Sequence, residues 1–220
     1  MIELYTWTTP NAQKISIMLE EIGLPYAVHP VDIEKGEQRA APYVAVNPNG
    51  KVPAIVDHAG PHGAPLTLFE SGAILVYLAE KSGQLLTREG SGRALTLQWL
   101  MFQMGNIGPT FHEAHYFLAQ APERLPHAME YFLAECARVL GVLDRHLASH
   151  EFLAPTYSIA DVATYPWIAA AIGAHLPGIE TFTNLQRWYA QITARPAVGR
   201  GMAVPVLVAQ SIMAGRSRSD

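Results

Sequence analysis

Two short segments of the chain could together hold a small anionic peptide. In the first, Asn49–Val56, a Val52-Pro53 pair stands before an apolar run, where an X-Pro bond can be cis and the preceding backbone stays extended. An extended Val52 with unpaired N–H and C=O groups can pair with a peptide backbone. In the second, Phe69–Ile74, Glu70-Ser71 begins a helix, where a hydroxyl and free N–H groups can hold a carboxylate. The two segments predict a slot for a small, anionic, peptide-like ligand.

The elements around these segments are predicted to form a small mixed sheet. Strand-like and helical runs follow the order β-α-β-(α)-β-β-α, with strands expected at Ile2–Trp7, Pro25–Val28, Val52–Val56 and Leu66–Phe69. Thr9 and Pro10 are a typical helix start, and Gly23 is a typical helix end. A right-handed crossover would make the first two strands parallel, and a hairpin would add the last two. This arrangement is thioredoxin-like, an α/β domain.

A change of pattern after residue 82 indicates a second domain. Gly83, Gly90 and Gly92 mark a linker, so residues 1–82 are assigned to the thioredoxin-like domain. Residues 92–209 show helical periodicity without a convincing strand and are assigned to an all-α domain, followed by a flexible tail at 210–220. Within the helical part, Ser158 and Asp161 have the spacing of a capping box.

Composition excludes several functional classes. The chain has 220 residues, of which 50% are hydrophobic, and a formal net charge of −4, so there is no electrostatic reason to expect a nucleic-acid partner. The single cysteine, Cys136, excludes an internal disulfide framework and fits a reducing compartment. No signal-like N-terminus and no apolar stretch of membrane-spanning length is visible. A cytoplasmic protein without a membrane partner is therefore expected.

A thioredoxin-like half followed by a helical half, together with Val52-Pro53 and Glu70-Ser71, resembles the cytosolic glutathione transferases. The resemblance implies that the Val52 backbone pairs with the cysteinyl part of glutathione and that the Pro53 bond is cis. It also implies that Glu70 and Ser71 hold the γ-glutamyl amine and carboxylate, and that Gln38 and Lys51 lie near the glycyl end. Members of this family usually form symmetric homodimers, here through the helix after Ser71 and the helix around Leu95–Met104.

The first helix resembles that of the nu-class bacterial members of this family. The run Thr9-Pro10-Asn11-x-x-Lys14-Ile15, with Leu19-Glu20-Glu21 after it, carries the likeness, as do Phe69–Glu80 and Leu95–Leu100. Nu-class enzymes are glutathione-dependent disulfide-bond reductases without a catalytic cysteine, and this chain has no cysteine at its first helix. The resemblance implies a site that accepts two glutathione molecules or one oxidised glutathione.

The chemistry implied is stabilisation of a thiolate by hydrogen-bond donors. A thiol attacks as its thiolate, and a free cysteine thiol has a pKa of about 8.5, so the protein must favour the anion. The helix start offers a partial positive charge, N–H groups, the Asn11 amide and the Thr9 hydroxyl, none of which is a general base. We assign the catalytic role to Asn11 first and Thr9 second, with Thr8 as an alternative contact. Glutathione is the expected co-substrate, and a small disulfide or electrophile is the second substrate.

Other interpretations remain open at this stage. Thr9 could act only as a helix cap, Asn11 could face solvent, and Lys51 could be an ordinary solvated lysine. A transferase that conjugates glutathione to electrophiles, or one with peroxidase activity, would use the same binding residues. A non-enzymatic ligand carrier could keep Glu70-Ser71 and lose the groups that activate the thiol.

Three features of the helical part bear on the site. Nu-class relatives tend to have an arginine that contacts glutathione near the position of Tyr131 and Phe132. This chain has no arginine there, and His127 and Arg124 are the candidates to replace it. Cys136 falls on the apolar stripe of its helix and is interpreted as a core residue. The segment His112–Phe117 has two histidines but neither protease spacing nor a third ligand, so no metal is expected and the segment is assigned to the substrate cleft.

Overall fold

A four-stranded sheet organises the N-terminal part of the chain in the computed structural model, which describes residues 1–205. Its strands and helices are β1 (Ile2–Thr6), α1 (Pro10–Ile22), β2 (Tyr26–Pro30), α2 (Ala41–Val44), β3 (Ala54–Asp57), β4 (Leu66–Phe69) and α3 (Ser71–Ser82). Short 3₁₀ turns occur at Glu37–Arg39 and Pro61–Gly63. The order is the predicted one, although β3 begins at Ala54 and leaves Val52 and Pro53 outside the strand.

The sheet order is β2-β1-β3-β4, which is the thioredoxin-like topology expected. β1 runs parallel to β2 and antiparallel to β3, and β3 and β4 are antiparallel. Along β1, Ile2, Leu4 and Thr6 are buried while Glu3 and Tyr5 are partly exposed on the opposite face. This alternation follows from the two-residue period of a strand, and it directs one face of the sheet into the core.

Helices form the second part of the chain. They are α4 (Gly90–Phe102), α5 (Gly108–His115), α6 (Pro126–Leu147), α7 (Ile159–Gly173) and α8 (Thr183–Thr193). A π-helical turn joins α4 to α5 at Gln103–Ile107, and another follows α5 at Tyr116–Gln120. Pro109 lies in the first turn of α5, directly after this π-helical turn, and proline lacks the N–H that continues a helix. Within residues 83–194 the structure contains no strand.

The predicted capping box is present at the start of α7. The Ser158 hydroxyl accepts a hydrogen bond from the Ala160 N–H, and the Asp161 carboxylate accepts one from the Ser158 N–H at 3.0 Å. Asp161 also accepts hydrogen bonds from the Leu153 N–H and from the Trp188 indole N–H. This carboxylate therefore joins the loop before α7, the helix itself and α8.

The helix α9 (Pro196–Met202) packs on α1 and belongs to the first unit. Met1–Ser82 and residues 195–205 form one compact unit, and Gly83–Ala194 form the other. The helical domain predicted over 92–209 therefore ends earlier in the structure, at Ala194. The physical reason is close packing that periodicity does not reveal: the Ser16 hydroxyl donates to the Gly201 carbonyl at 2.7 Å, and Arg195 forms a two-point ion pair with Glu21.

Residues 206–209 of that predicted domain and the predicted tail at 210–220 lie outside the described residues. Among residues 1–205, no helix combines the length and apolar character that crossing a lipid bilayer requires.

Candidate functional site

The predicted binding residues of the first unit lie at one end of its sheet. Tyr5 of β1 is paired with Ala54 of β3, and Ala54 is paired with Phe69 of β4. Because β2 is parallel to β1 and β3 runs opposite to both of its neighbours, the segments after β1, β2 and β4 and the segment before β3 emerge at the same end. We call this set the sheet-end site, and it comprises Thr8, Thr9, Asn11, Gln38, Lys51, Val52, Pro53, Glu70 and Ser71.

Thr9 caps α1, as one of the two interpretations expected. Its side-chain oxygen accepts a hydrogen bond from the Ala12 N–H at 3.4 Å, and its backbone is extended as a cap residue requires. The cap uses the hydroxyl as an acceptor, so its own hydrogen remains able to donate to a ligand. Asn11 lies in the first turn of the helix and is partly exposed, while Thr8 is exposed. Capping and ligand binding by Thr9 are therefore compatible.

The peptide bond between Val52 and Pro53 is cis, as the resemblance implies. Among the described residues, none forms a hydrogen bond with the N–H or C=O of Val52. The preceding residue is fixed from behind, because the Lys51 carbonyl accepts hydrogen bonds from the Tyr43 hydroxyl at 2.6 Å and from the Asn47 amide. A held segment with an unpaired backbone can pair with a peptide ligand in the manner of an added strand.

Gln38 and Lys51 stand at the outer side of this segment. The Gln38 amide donates to the Ile33 carbonyl at 3.4 Å, and a Cβ built on Gly50 would lie 3.2 Å from the Gln38 carbonyl oxygen. Gln38 is thereby placed beside the turn that leads into Lys51. The Lys51 side chain is exposed and makes no ion pair within residues 1–205, which leaves its ammonium available to an anion.

Glu70 and Ser71 form the start of α3. Glu70 has a backbone φ of 69°, in the left-handed region that side chains other than glycine rarely adopt, and its carbonyl accepts from the Ile74 N–H at 3.0 Å. Ser71 is 4% exposed and is the first residue of the helix. Residues with a strained backbone often occur at functional sites, and the start of a helix can bind an anion. Glu70 and Ser71 combine the two features.

Comparison with known proteins identifies the family. Residues 8–81 match the glutathione S-transferase N-terminal domain, and residues 119–191 match the glutathione S-transferase C-terminal domain. The chain belongs to the glutathione transferase family. The predicted family and the predicted fold class, a thioredoxin-like domain with a helical domain, are thereby confirmed.

Among curated proteins, this transferase is similar to the disulfide-bond oxidoreductases YfcG and YghU of Escherichia coli strain K12. It is 42% identical to YfcG over 92% of this chain and 94% of that protein, and 39% identical to YghU over 92% and 74%. The solved structure of a family member from Pseudomonas fluorescens Pf-5, which has two glutathione molecules bound, is 49% identical, with a TM-score of 0.90 and coverage of 93% of each chain. A glutathione transferase from Pseudomonas putida, with one glutathione disulfide per subunit, is 46% identical with a TM-score of 0.88, over 93% of this chain and 91% of that one.

Lys14 is a member of the site region to which sequence reasoning gave no role. Its side chain is 0% exposed, and its ammonium lies 3.3 Å from the Ser71 hydroxyl, so it connects α1 to the start of α3. Burial lowers the pKa of Lys14 to about 7, while the negative charge of Glu70 acts in the opposite direction. A signal was present in the sequence: Lys14 precedes Met18 by four residues and so shares the apolar face of α1.

The second unit shows where the remaining candidates lie. Cys136 is 1% exposed, and burial raises the pKa of its thiol to about 12, so the interpretation as a core residue is confirmed. At the position of the expected arginine, Phe132 stacks on Phe117 with ring centroids 5.3 Å apart, and Tyr131 is exposed. Within residues 1–205 no three histidine, cysteine or acidic side chains gather in a way that could hold a metal ion.

Proposed function

We propose that this transferase reduces disulfides with glutathione and uses no protein thiol in the reaction. The observation that carries the proposal is the sheet-end site itself: a donor-rich helix start at Thr9 and Asn11 stands beside an unpaired Val52 backbone and the Glu70-Ser71 pair. The names of the relatives YfcG and YghU, and the glutathione disulfide found in the Pseudomonas putida structure, support the same reaction. Cys136 takes no part, because its buried thiol stays protonated at neutral pH.

In this proposal the site holds glutathione at three points. Glu70 receives the γ-glutamyl amine, and Ser71 with the first N–H groups of α3 receives the γ-glutamyl carboxylate. The Val52 backbone pairs with the cysteinyl residue and directs its sulfur toward the start of α1. Gln38 and Lys51 contact the glycyl end. Asn11, assisted by Thr9 and with Thr8 as an alternative contact, donates to the sulfur and lowers its pKa.

The reaction is two successive thiol–disulfide exchanges. The bound thiolate attacks one sulfur of the substrate disulfide, the S–S bond breaks, and one substrate thiolate leaves and takes a proton from solvent. The thiolate of a second glutathione then attacks the glutathione sulfur of the mixed disulfide and releases the second substrate thiol. Two glutathione molecules are oxidised to one glutathione disulfide, and the substrate disulfide is reduced to two thiols. The two glutathione molecules in the Pseudomonas fluorescens structure support a site of this capacity.

The test is glutathione-dependent reduction of hydroxyethyl disulfide by the wild type, Asn11→Ala, Asn11→Asp and Cys136→Ala. We expect Asn11→Ala to lower kcat/KM by about a hundredfold, the loss typical of one donor in an anion site. Asn11→Asp should lose more, because a carboxylate repels the thiolate, whereas Cys136→Ala should keep the activity. Wild-type protein that binds glutathione but reduces no disulfide above the uncatalysed rate would overturn the proposal, and activity with an aryl halide would then assign a conjugating enzyme.

We also infer that the protein is a homodimer and acts in the cytoplasm, without nucleic-acid or membrane partners. The inference of a dimer rests on the family and on large apolar side chains at the surface of α4, where Leu95 is 40% and Met101 56% exposed. Light scattering of the wild type and of Met101→Glu tests it. A dimer for the wild type and a monomer for the variant is expected, and a monomeric wild type would contradict it.

A further inference from the structure

Lys14 is a charged residue type in a fully buried position. It is 0% exposed and is among the largest completely buried side chains of the described structure, beside apolar residues such as Ile15 and Met18. An ammonium group held away from water is costly unless it is paired, and a lysine in such a place tends to lose its proton. Methionine would fill the same space at no electrostatic cost. The lysine therefore calls for an explanation beyond packing.

The contacts of Lys14 point to the start of α3. Its ammonium lies 3.3 Å from the Ser71 hydroxyl, and the carboxylate of Glu70 exerts a field on it that favours the charged form. These two residues are the ones to which the proposed function assigns the γ-glutamyl carboxylate and amine. A carboxylate bound at Ser71 would thus stand one hydroxyl away from Lys14.

Within residues 1–205, Lys81 of α3, Arg200 of α9 and Arg195 form ion pairs with residues other than Lys14. From α9 and the residue before it, Arg200 and Arg195 form ion pairs with Glu20 and Glu21, which lie near the other end of α1. From β1, the buried side chains are Ile2, Leu4 and Thr6, which do not titrate. On α3, Tyr77 and Lys81 both bind Asp57, and Glu80 lies in the same last turns.

We propose that Lys14 is a positioning residue that takes up a proton when the γ-glutamyl carboxylate binds at Ser71. The inference rests on the proposed function, since it concerns the same site. Before binding, burial keeps the pKa of Lys14 at about 7, so at pH 8 the group is mostly neutral. The incoming carboxylate adds a negative charge close to the ammonium and favours its charged form. The proton comes from solvent, no covalent bond changes, and the charged lysine then holds the Ser71 hydroxyl toward the carboxylate.

The experiment is isothermal titration calorimetry with S-methylglutathione, which has no thiol to titrate. Titrations at pH 6 and pH 8, each in two buffers with different ionisation enthalpies, give the number of protons taken up. We expect roughly 0.5 to 1 proton per site at pH 8 and close to none at pH 6, where Lys14 is already charged.

Two variants identify the group that titrates. Lys14→Met should abolish the uptake that exceeds the contribution of the ligand's own amine, and should weaken binding at pH 6 by about ten- to a hundredfold. Lys35→Met removes an exposed lysine that pairs with Asp32 and does not contact Lys14, and it should leave the proton uptake unchanged.

The outcomes separate this inference from the proposed function. Tight binding without uptake by the wild type at pH 8, or equal uptake by Lys14→Met, would overturn the role of Lys14 and leave the proposed function intact. No binding of S-methylglutathione or of glutathione would overturn the proposed function itself. If Lys14→Met fails to fold, Lys14→Gln takes its place in the same titrations, and absence of uptake by the wild type at pH 8 overturns the role of Lys14 without any variant.

Discussion

At the scale of single residues, several residues of the sheet-end site have both a structural role and a proposed role in ligand binding. Thr9 caps α1 with its oxygen and has a hydrogen left for a sulfur anion. Glu70 has a strained backbone that turns the chain into α3 and a carboxylate placed for an amine. A substitution can separate these two roles, because it can change the stability of the fold without changing ligand binding, or the reverse.

Thr9→Val tests the two duties of the cap. The variant keeps the shape of the side chain and removes the hydroxyl, so we expect unfolding free energy to fall by about 1 kcal/mol, the usual value of a cap, and kcat/KM to fall as well. Thr9→Ser should restore both. Chemical denaturation and the disulfide reduction assay give the two quantities. A variant with lower stability but wild-type kcat/KM would show that Thr9 acts as a cap alone.

Glu70→Gly should separate strain from binding at α3. Glycine adopts a φ of 69° without a steric penalty, so thermal stability should stay the same or rise, by up to about 1 kcal/mol. Affinity for glutathione should fall by about ten- to a hundredfold, since the partner of the amine is lost. Glu70→Gln, which keeps the strain, should lose affinity without any gain in stability. Wild-type affinity in both variants would contradict the assignment of the amine to Glu70.

At the scale of elements, α1 is the centre of the first unit. Its first turn belongs to the sheet-end site, its second turn carries Lys14 toward α3, and its inner face meets α9 at very short range. A Cβ built on Gly201 would lie 2.5 Å from the backbone of Ile17, a distance that real structures do not tolerate. The glycine is therefore required by the close approach of the two helices.

Gly201→Ala should break the packing of α9 on α1. Because the clash is with backbone atoms, relief requires the helices to separate, and we expect a loss of about 2 to 4 kcal/mol in unfolding free energy. Gly199→Ala is the matched control in the same helix: nothing lies within 4 Å of its added Cβ, so the change should be neutral or slightly stabilising. Urea denaturation measures both. Equal stability of the two variants would show that α9 contributes little.

Helices and strands could be predicted from the sequence where the interactions that define them join residues close together in the chain. Turn and cap residues such as Gly23 and Ser158 defined helix ends correctly, since the relevant interactions span a few positions. The position of α9 was not predictable, because a helix after Pro196 at the end of a helical domain looks like a further member of that domain. Its attachment to α1 depends on Gly201 and Ser16, which are 185 residues apart.

At the scale of the whole molecule, the site results from the strand register. The motifs Val52-Pro53 and Glu70-Ser71 could be found in the sequence, but their meeting point could not, because it requires Ala54 to pair with both Tyr5 and Phe69. Lys14 was missed for a related reason. Its place on the apolar face of α1 could be read from the sequence, but its neighbour Ser71 is supplied by α3 and could not.

The burial of Lys14 should make the stability of the whole protein depend on pH in a defined direction. In the unfolded chain the lysine pKa is about 10.4, whereas burial in the folded state lowers it to about 7. Between these values the unfolded state binds more protons, so the contribution of Lys14 to the unfolding free energy rises with pH across this range.

The unfolding free energy of the wild type minus that of Lys14→Met should therefore increase by about 2 kcal/mol from pH 7 to pH 9 and stay constant below pH 6. Denaturation in urea at each pH measures this difference, with Lys35→Met as the control that should show no such trend. A difference that stays flat, or that falls as pH rises, would mean that Lys14 remains charged in the folded protein.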